Sequence, residues 1–170
     1  MDATLFPTGS TEWETPQDFF DFLNRIFKFD IDACATKHNA KCKRYFTPEI
    51  NSLTQDWTGT VWCNPPYDRS IEKWLNKAQQ SHEKGAVVVM LLPAKTDTKW
   101  IHKHVFGKTQ VIFLKGRLKF GNSDNSAPFP SMLAVWGGPR IRCGFLEGNL
   151  EGFAIGKDNG ASNSSPDEDD

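Results

Sequence analysis

The sequence predicts an α/β protein built on one open, mostly parallel sheet with helices on both faces. Three observations predict it. Short β-prone segments alternate with amphipathic helical ones from residue 16 to residue 136. The run Ala86 to Leu92 is continuously apolar, as a central strand covered on both sides requires. The β-prone segment Thr60 to Cys63 stops abruptly at Asn64-Pro65-Pro66, so a rigid loop follows a strand end, where open α/β sheets bind ligands. At 170 residues the chain is long enough to bury one sizeable core.

The first helix is expected after Thr15-Pro16, with Thr15 as N-cap and Pro16 in the first helical position. Phe19, Phe20, Leu23, Ile26 and Phe27 recur at the spacing of one buried face. From Phe27 to Ala33 apolar residues alternate with Lys28, Asp30 and Asp32, which predicts a short strand carrying Asp32 at its carboxyl end. Cys34 to Gly59 is polar and irregular, with one short strand expected near Tyr45. Beyond the Asn-Pro-Pro loop, Ser70 can cap a helix that buries Ile71, Trp74, Leu75 and Ala78, and Gly85 closes it. A helix over Asp97 to Phe106 buries Trp100, Ile101 and Val105. Strands follow at Val111 to Leu114 and Met132 to Trp136. Lys115, Arg117 and Lys119 alternate as if the first of these strands continued. Gly121 to Pro130 reads as a mobile loop, and Ile141 to Ile155 as one edge hairpin.

Composition narrows the function. The longest apolar run falls short of the roughly 18 residues a membrane span needs, so no membrane role is expected. Cys34, Cys42, Cys63 and Cys143 form no C-x-x-C pair, and six Trp with thirteen Phe supply a core without disulfide staples, which points to a reducing cytoplasm. Net charge is -1, which by itself argues against nucleic acid. Residues 157–170, however, are acidic and Ser/Asn-rich and read as a disordered tail beyond a domain over residues 1–156. Without the tail the body is mildly basic, with Lys41, Lys43 and Arg44 clustered. Lys95, Arg117 and Lys119 are candidate phosphate contacts, beside their bland alternative as ordinary surface charge.

Asn64-Pro65-Pro66-Tyr67 carries the chemistry. An exocyclic base amine is a poor nucleophile because its lone pair is delocalised into the ring. Two acceptors on its two N–H bonds would draw the nitrogen toward tetrahedral geometry and direct the lone pair at an electrophile. The Asn64 side-chain oxygen and the Pro65 carbonyl can supply both, with Pro66 stiffening the backbone. Tyr67 offers a flat face for a base flipped out of its duplex. Read alone, the tetrapeptide could equally be a turn with an aromatic plug. Its place between an apolar strand and an amphipathic helix favours the active-site reading. Cys63 ends the strand and reads as buried and structural, not as a nucleophile. Cys34, His38 and Cys42 lack a fourth nearby ligand, so no metal is expected.

Taken in order, Trp13-Glu14-Thr15-Pro16, Asp30-Ile31-Asp32-Ala33-Cys34-Ala35, Asp56-Trp57, Asn64-Pro65-Pro66-Tyr67, Leu91-Leu92-Pro93-Ala94-Lys95-Thr96-Asp97 and Gly116-Arg117-Leu118-Lys119-Phe120 resemble the phage-encoded Dam-type DNA N6-adenine methyltransferases. The resemblance covers roughly residues 10 to 137. It implies a single-domain Rossmann-like methyltransferase fold with S-adenosylmethionine as cofactor and DNA as substrate. It further implies that Trp13, Thr15 and Pro16 help form the cofactor pocket, that Asp32, with Ala33 beside it, meets the methionine end, and that Asp56 lies near the adenosine. The chain departs from the wider methyltransferase pattern in having Ala33-Cys34-Ala35, not a glycine-rich turn, after the first strand.

Two alternatives stay open at this point: an amine methyltransferase acting on RNA or protein glutamine, and a nucleic-acid-binding relative without turnover. A separate recognition domain is not expected within 170 residues, so target choice is expected to fall to loops or a second subunit, in a monomer or homodimer.

Overall fold

The computed structural model describes residues 13–121 and 125–141 and the backbone of 145–147. Among these residues seven strands form one sheet: β1 (Ile31–Asp32), β2 (Arg44–Tyr45), β3 (Thr60–Cys63), β4 (Val87–Pro93), β5 (Gln110–Lys115), β6 (Ser131–Trp136) and β7 (Phe145–Glu147), in the order β2-β1-β3-β4-β6-β5-β7. β2, β1, β3 and β4 run parallel. β6 is antiparallel to both β4 and β5, which makes β5 parallel to β4, and β7 is parallel to β5. The carboxyl ends of every strand except β6 therefore open on one edge. The mixed α/β architecture and largely parallel sheet agree with the sequence expectation.

The helices are α1 (Gln17–Phe27), α2 (Ile71–Glu83) and α3 (Lys99–His104). Their apolar stripes sort the sheet residues by parity. Val61, Cys63, Val88, Met90 and Leu92 pack in one cluster with Ile71, Leu75 and Ala78 of α2 and Ile101 of α3. Trp62, Val89, Leu91, Leu133 and Val135 pack in a second cluster with Phe19, Phe20 and Leu23 of α1. β4 is buried along nearly its whole length because it contributes to both. Each fully buried aliphatic side chain in these clusters stabilises the fold by about 1.5–3 kcal/mol.

Four local expectations are corrected. Helix α1 begins at Gln17 behind Pro16 and has no side-chain cap; the Thr15 hydroxyl is engaged elsewhere. The predicted strand from Phe27 shrinks to Ile31–Asp32, because α1 keeps Phe27 and Asn24 closes the helix. The Asn24 carbonyl accepts the Lys28 N–H at 3.0 Å and its side-chain oxygen the Phe29 N–H at 2.8 Å. Helix α3 is shorter than expected and leaves Trp100 half-buried, although Ile101 and Val105 are buried. β5 ends at Lys115, where Gly116 adopts φ +76°, so Arg117 and Lys119 follow the strand and do not extend it. In the ambiguous stretch from Ile141, Phe145–Glu147 forms an edge strand parallel to β5. The expected tail at 157–170 and the rest of Ile141 to Ile155 after β7 lie outside the described residues.

Candidate active site

A cavity of about 470 Å³ opens at the carboxyl ends of the parallel strands, a size typical of small-molecule sites. Trp13, Thr15, Asp32, Ala33, Asn64, Pro65, Pro66 and Tyr67 all line it. The topology explains the convergence. Asp32 ends β1 and Asn64 follows β3, and the two strands are adjacent and parallel, with Asp32 paired to Trp62. The segment before α1 then lies across these two strand ends, bringing Trp13 and Thr15 to the same wall. Pro16 and Asp56 are not among the lining residues; Asp56 is exposed after the second of two short 3₁₀ turns, Pro48–Ile50 and Ser52–Thr54.

Asp32 is 2 % exposed. Its Oδ1 accepts the Cys34 N–H at 3.2 Å and its Oδ2 the Lys41 N–H at 3.0 Å. Burial pushes its carboxyl up to about 6, and the two backbone donors oppose that rise without cancelling it. The Lys41 side chain is only 7 % exposed and is tied to the Glu14 carboxylate at 3.3 Å and to Gln17 Oε1 at 3.1 Å. Lys41 therefore belongs to the cavity wall and not to a basic surface cluster; Lys43 and Arg44 stay exposed. Sequence reasoning missed the Glu14 and Lys41 pair, and no sequence signal could have found it, since the partners are 27 positions apart on unrelated elements.

Asn64 is held by three polar partners. Its Nδ2 donates to the Trp13 carbonyl at 2.7 Å and to Thr15 Oγ1 at 3.1 Å. Its Oδ1 accepts the Tyr67 hydroxyl at 2.8 Å; that hydroxyl also lies 3.3 Å from the Leu91 carbonyl. Tyr67 is half-buried, with burial raising its phenol further above the usual range, so the hydroxyl remains a donor. Phe129 sits edge-on to the Tyr67 ring at 5.6 Å between centroids, and Trp13 packs against Phe129 and Phe120 at 4.9 and 5.4 Å.

Cys63 is fully buried at the end of β3 and its thiol is pushed up by burial, as expected of a structural cysteine. Among the described residues no group of three or more His, Cys, Asp or Glu is placed to hold a metal. Lys95, Arg117 and Lys119 are exposed. Each follows the carboxyl end of β4 or β5, on the same edge of the sheet as the cavity, without lining it. Arg117 Nη1 donates to the Ala127 carbonyl at 3.3 Å and so also braces the loop that carries Phe129.

The mixed α/β sheet with this strand-end cavity is consistent with a methyltransferase fold. Residues 5–135 match the family model described as DNA N-6-adenine-methyltransferase (Dam), and the chain belongs to that family. It is 38% identical over 116 residues to the DNA N-6-adenine-methyltransferase of Haemophilus phage HP1, across 66% of this chain and 67% of that protein. It is 30% identical over 146 residues to the DNA N-6-adenine-methyltransferase of Escherichia phage T1, across 84% of this chain and 60% of that protein.

Proposed function

We propose that this chain transfers a methyl group from S-adenosylmethionine to N6 of adenine in DNA, with Asn64-Pro65-Pro66-Tyr67 as the catalytic loop. The observation that carries it is the Asn64 amide, fixed on the cavity wall with both nitrogen protons committed to acceptors, which leaves the oxygen as its acceptor for an amine. One Oδ1 lone pair takes the Tyr67 hydroxyl and the other is free for a substrate N–H. The Pro65 carbonyl is the second acceptor. Together they hold the NH₂ group so that its lone pair leaves the ring plane, and the proton departs after transfer. The Tyr67 ring stacks on the flipped base and offsets part of its unstacking cost.

The cavity suits the cofactor. Asp32 and Glu14 offer carboxylates to the ammonium of its methionine end, Lys41 a cation to the carboxylate of that end, and Phe46, Leu53 and Trp74 apolar surface to its adenine. When bound, the cofactor supplies an activated methyl on a sulfonium. Trp13, Thr15 and Ala33 shape the pocket, while Pro16, which follows Thr15, and the exposed Asp56 would act on the cofactor from outside the lining. The fold is read as a single Rossmann-like domain, with α1 covering one face of the sheet and α2 and α3 the other, supported by the two core clusters. Lys95, Arg117 and Lys119 contact DNA phosphates as a monomer or homodimer engages its site. The setting is the cytoplasm of a bacterial host, where the DNA is and where free Cys34, Cys42 and Cys63 persist. No helix among the described residues is long and apolar enough to cross a membrane.

The test is transfer of a labelled methyl from the cofactor to DNA, RNA and protein offered in parallel. Label in DNA alone, lost in Asn64→Ala, supports the proposal; label in RNA or protein alone overturns it.

A further inference from the structure

The geometry points to Thr15 and the Trp13 carbonyl as positioning groups that lock the Asn64 amide with its oxygen, and not its nitrogen, toward the reacting amine. This inference rests on the proposed acceptor role of Asn64. A primary amide is nearly symmetric in shape, so packing alone cannot choose between its two orientations. Hydrogen bonding can. A main-chain carbonyl accepts only, so the atom 2.7 Å from Trp13 O must be the donor Nδ2. Thr15 Oγ1, 3.1 Å from the same nitrogen, accepts its second proton. On the opposite side the Tyr67 hydroxyl donates to Oδ1 at 2.8 Å. A rotated amide would set oxygen against the Trp13 carbonyl and offer N–H groups to an amine that needs acceptors.

The strap carrying these two acceptors is itself anchored. The Glu14 carbonyl accepts the Gly121 N–H at 2.8 Å, and the Glu14 carboxylate holds Lys41 at 3.3 Å. Thr15 is 4 % exposed, so its hydroxyl is no surface ornament. This also explains why Thr15 does not cap α1: its side chain is turned to Asn64, 49 positions away. Thr15 is thus a positioning residue that acts through Asn64, in addition to lining the cavity.

The experiment measures kcat at saturating cofactor and DNA, and cofactor Kd by calorimetry, for the full chain carrying Thr15→Val, Thr15→Ser or Asn64→Ala. Valine keeps the shape and removes the acceptor; serine restores it. The lock predicts that Thr15→Val lowers kcat about tenfold to a hundredfold, leaves cofactor Kd within about twofold, and that Thr15→Ser recovers most of the loss. Should valine disturb folding by thermal melt, Thr15→Ala tests the loss of kcat and Thr15→Ser its rescue. Unchanged kcat in Thr15→Val, loss of cofactor affinity with kcat preserved, or failure of serine to rescue overturns the lock. Because Asn64→Ala reports on the acceptor itself, an inactive Asn64→Ala beside a fully active Thr15→Val rejects the lock while leaving the proposed function standing. An active Asn64→Ala rejects the proposed acceptor.

Discussion

The Tyr67 hydroxyl donates to Asn64 Oδ1 at 2.8 Å, so the two ends of the catalytic loop are joined side chain to side chain. Tyr67 thereby has two separable parts, a ring facing the cavity and a hydroxyl that steadies the acceptor. Removing the hydroxyl alone in Tyr67→Phe forfeits one part-buried hydrogen bond, of about 1 kcal/mol. Turnover should fall severalfold with DNA affinity nearly unchanged. Tyr67→Ala also removes the stacking surface and should reduce turnover by about a hundredfold or more. Steady-state kcat and DNA binding on both variants check this; equal losses would show that the ring contributes nothing of its own.

Asp32 supplies a pH dependence with a definite sign. Its folded-state value of about 6 lies above the ordinary 3.8, so between these values the folded chain holds a proton that the unfolded chain has released. The stability this group contributes is fully present below pH 3.8 and is lost as pH rises through about 6. The loss is about 3 kcal/mol at most. A cationic ligand end beside Asp32 requires the ionised form, so cofactor affinity should weaken up to about tenfold per pH unit below pH 6. Calorimetry at about pH 5 and pH 7.5 measures the slope. Asp32→Asn should bind weakly and with a flat pH response; an undiminished slope in that variant would assign the titration to another group.

Much of this was legible in the sequence, and what was not has a physical reason. The strands at Thr60 to Cys63 and Ala86 to Leu92 were readable because a half-buried or fully buried strand leaves its mark in local apolar pattern. Asp32 and Asn64 were placed at strand ends by the same logic, and the fold makes them neighbours through adjacent parallel strands. Phe27 misled because it suits both a helix face and an alternating strand, and the Asn24 cap that decides between them is a side-chain choice. Thr15 misled likewise: its local preference for capping gives way to a partner on β3's loop. The Glu14 and Lys41 pair, and the loss of Lys41 from the surface, depend on tertiary approach alone.

Gly59 should tolerate no side chain. It precedes β3 with φ +70°, and a Cβ there would collide with the Asp30 carboxylate, which accepts the Thr60 N–H at 2.8 Å. Gly59→Ala should destabilise the protein by about 1–3 kcal/mol through the left-handed backbone and the displaced carboxylate. Denaturant unfolding reads this directly. A midpoint equal to wild type would mean that the turn relaxes freely.

The exposed cations should act through charge. Lys95→Ala and Lys119→Ala should each weaken DNA binding on all sequences alike and lower the salt-dependence slope by about 1. Arg117→Ala should do more, since it also releases the Ala127 carbonyl and the loop bearing Phe129. Binding measured across a salt series distinguishes these outcomes; an unchanged slope would remove that residue from the phosphate contacts.

The most direct test of the account is mass spectrometry of nucleosides from DNA incubated with S-adenosylmethionine and either the wild-type chain or Asn64→Ala. The account predicts N6-methyladenine from the wild type, no other methylated base, and none from Asn64→Ala despite retained cofactor binding. N4-methylcytosine from the wild type, or undiminished N6-methyladenine from Asn64→Ala, would contradict it.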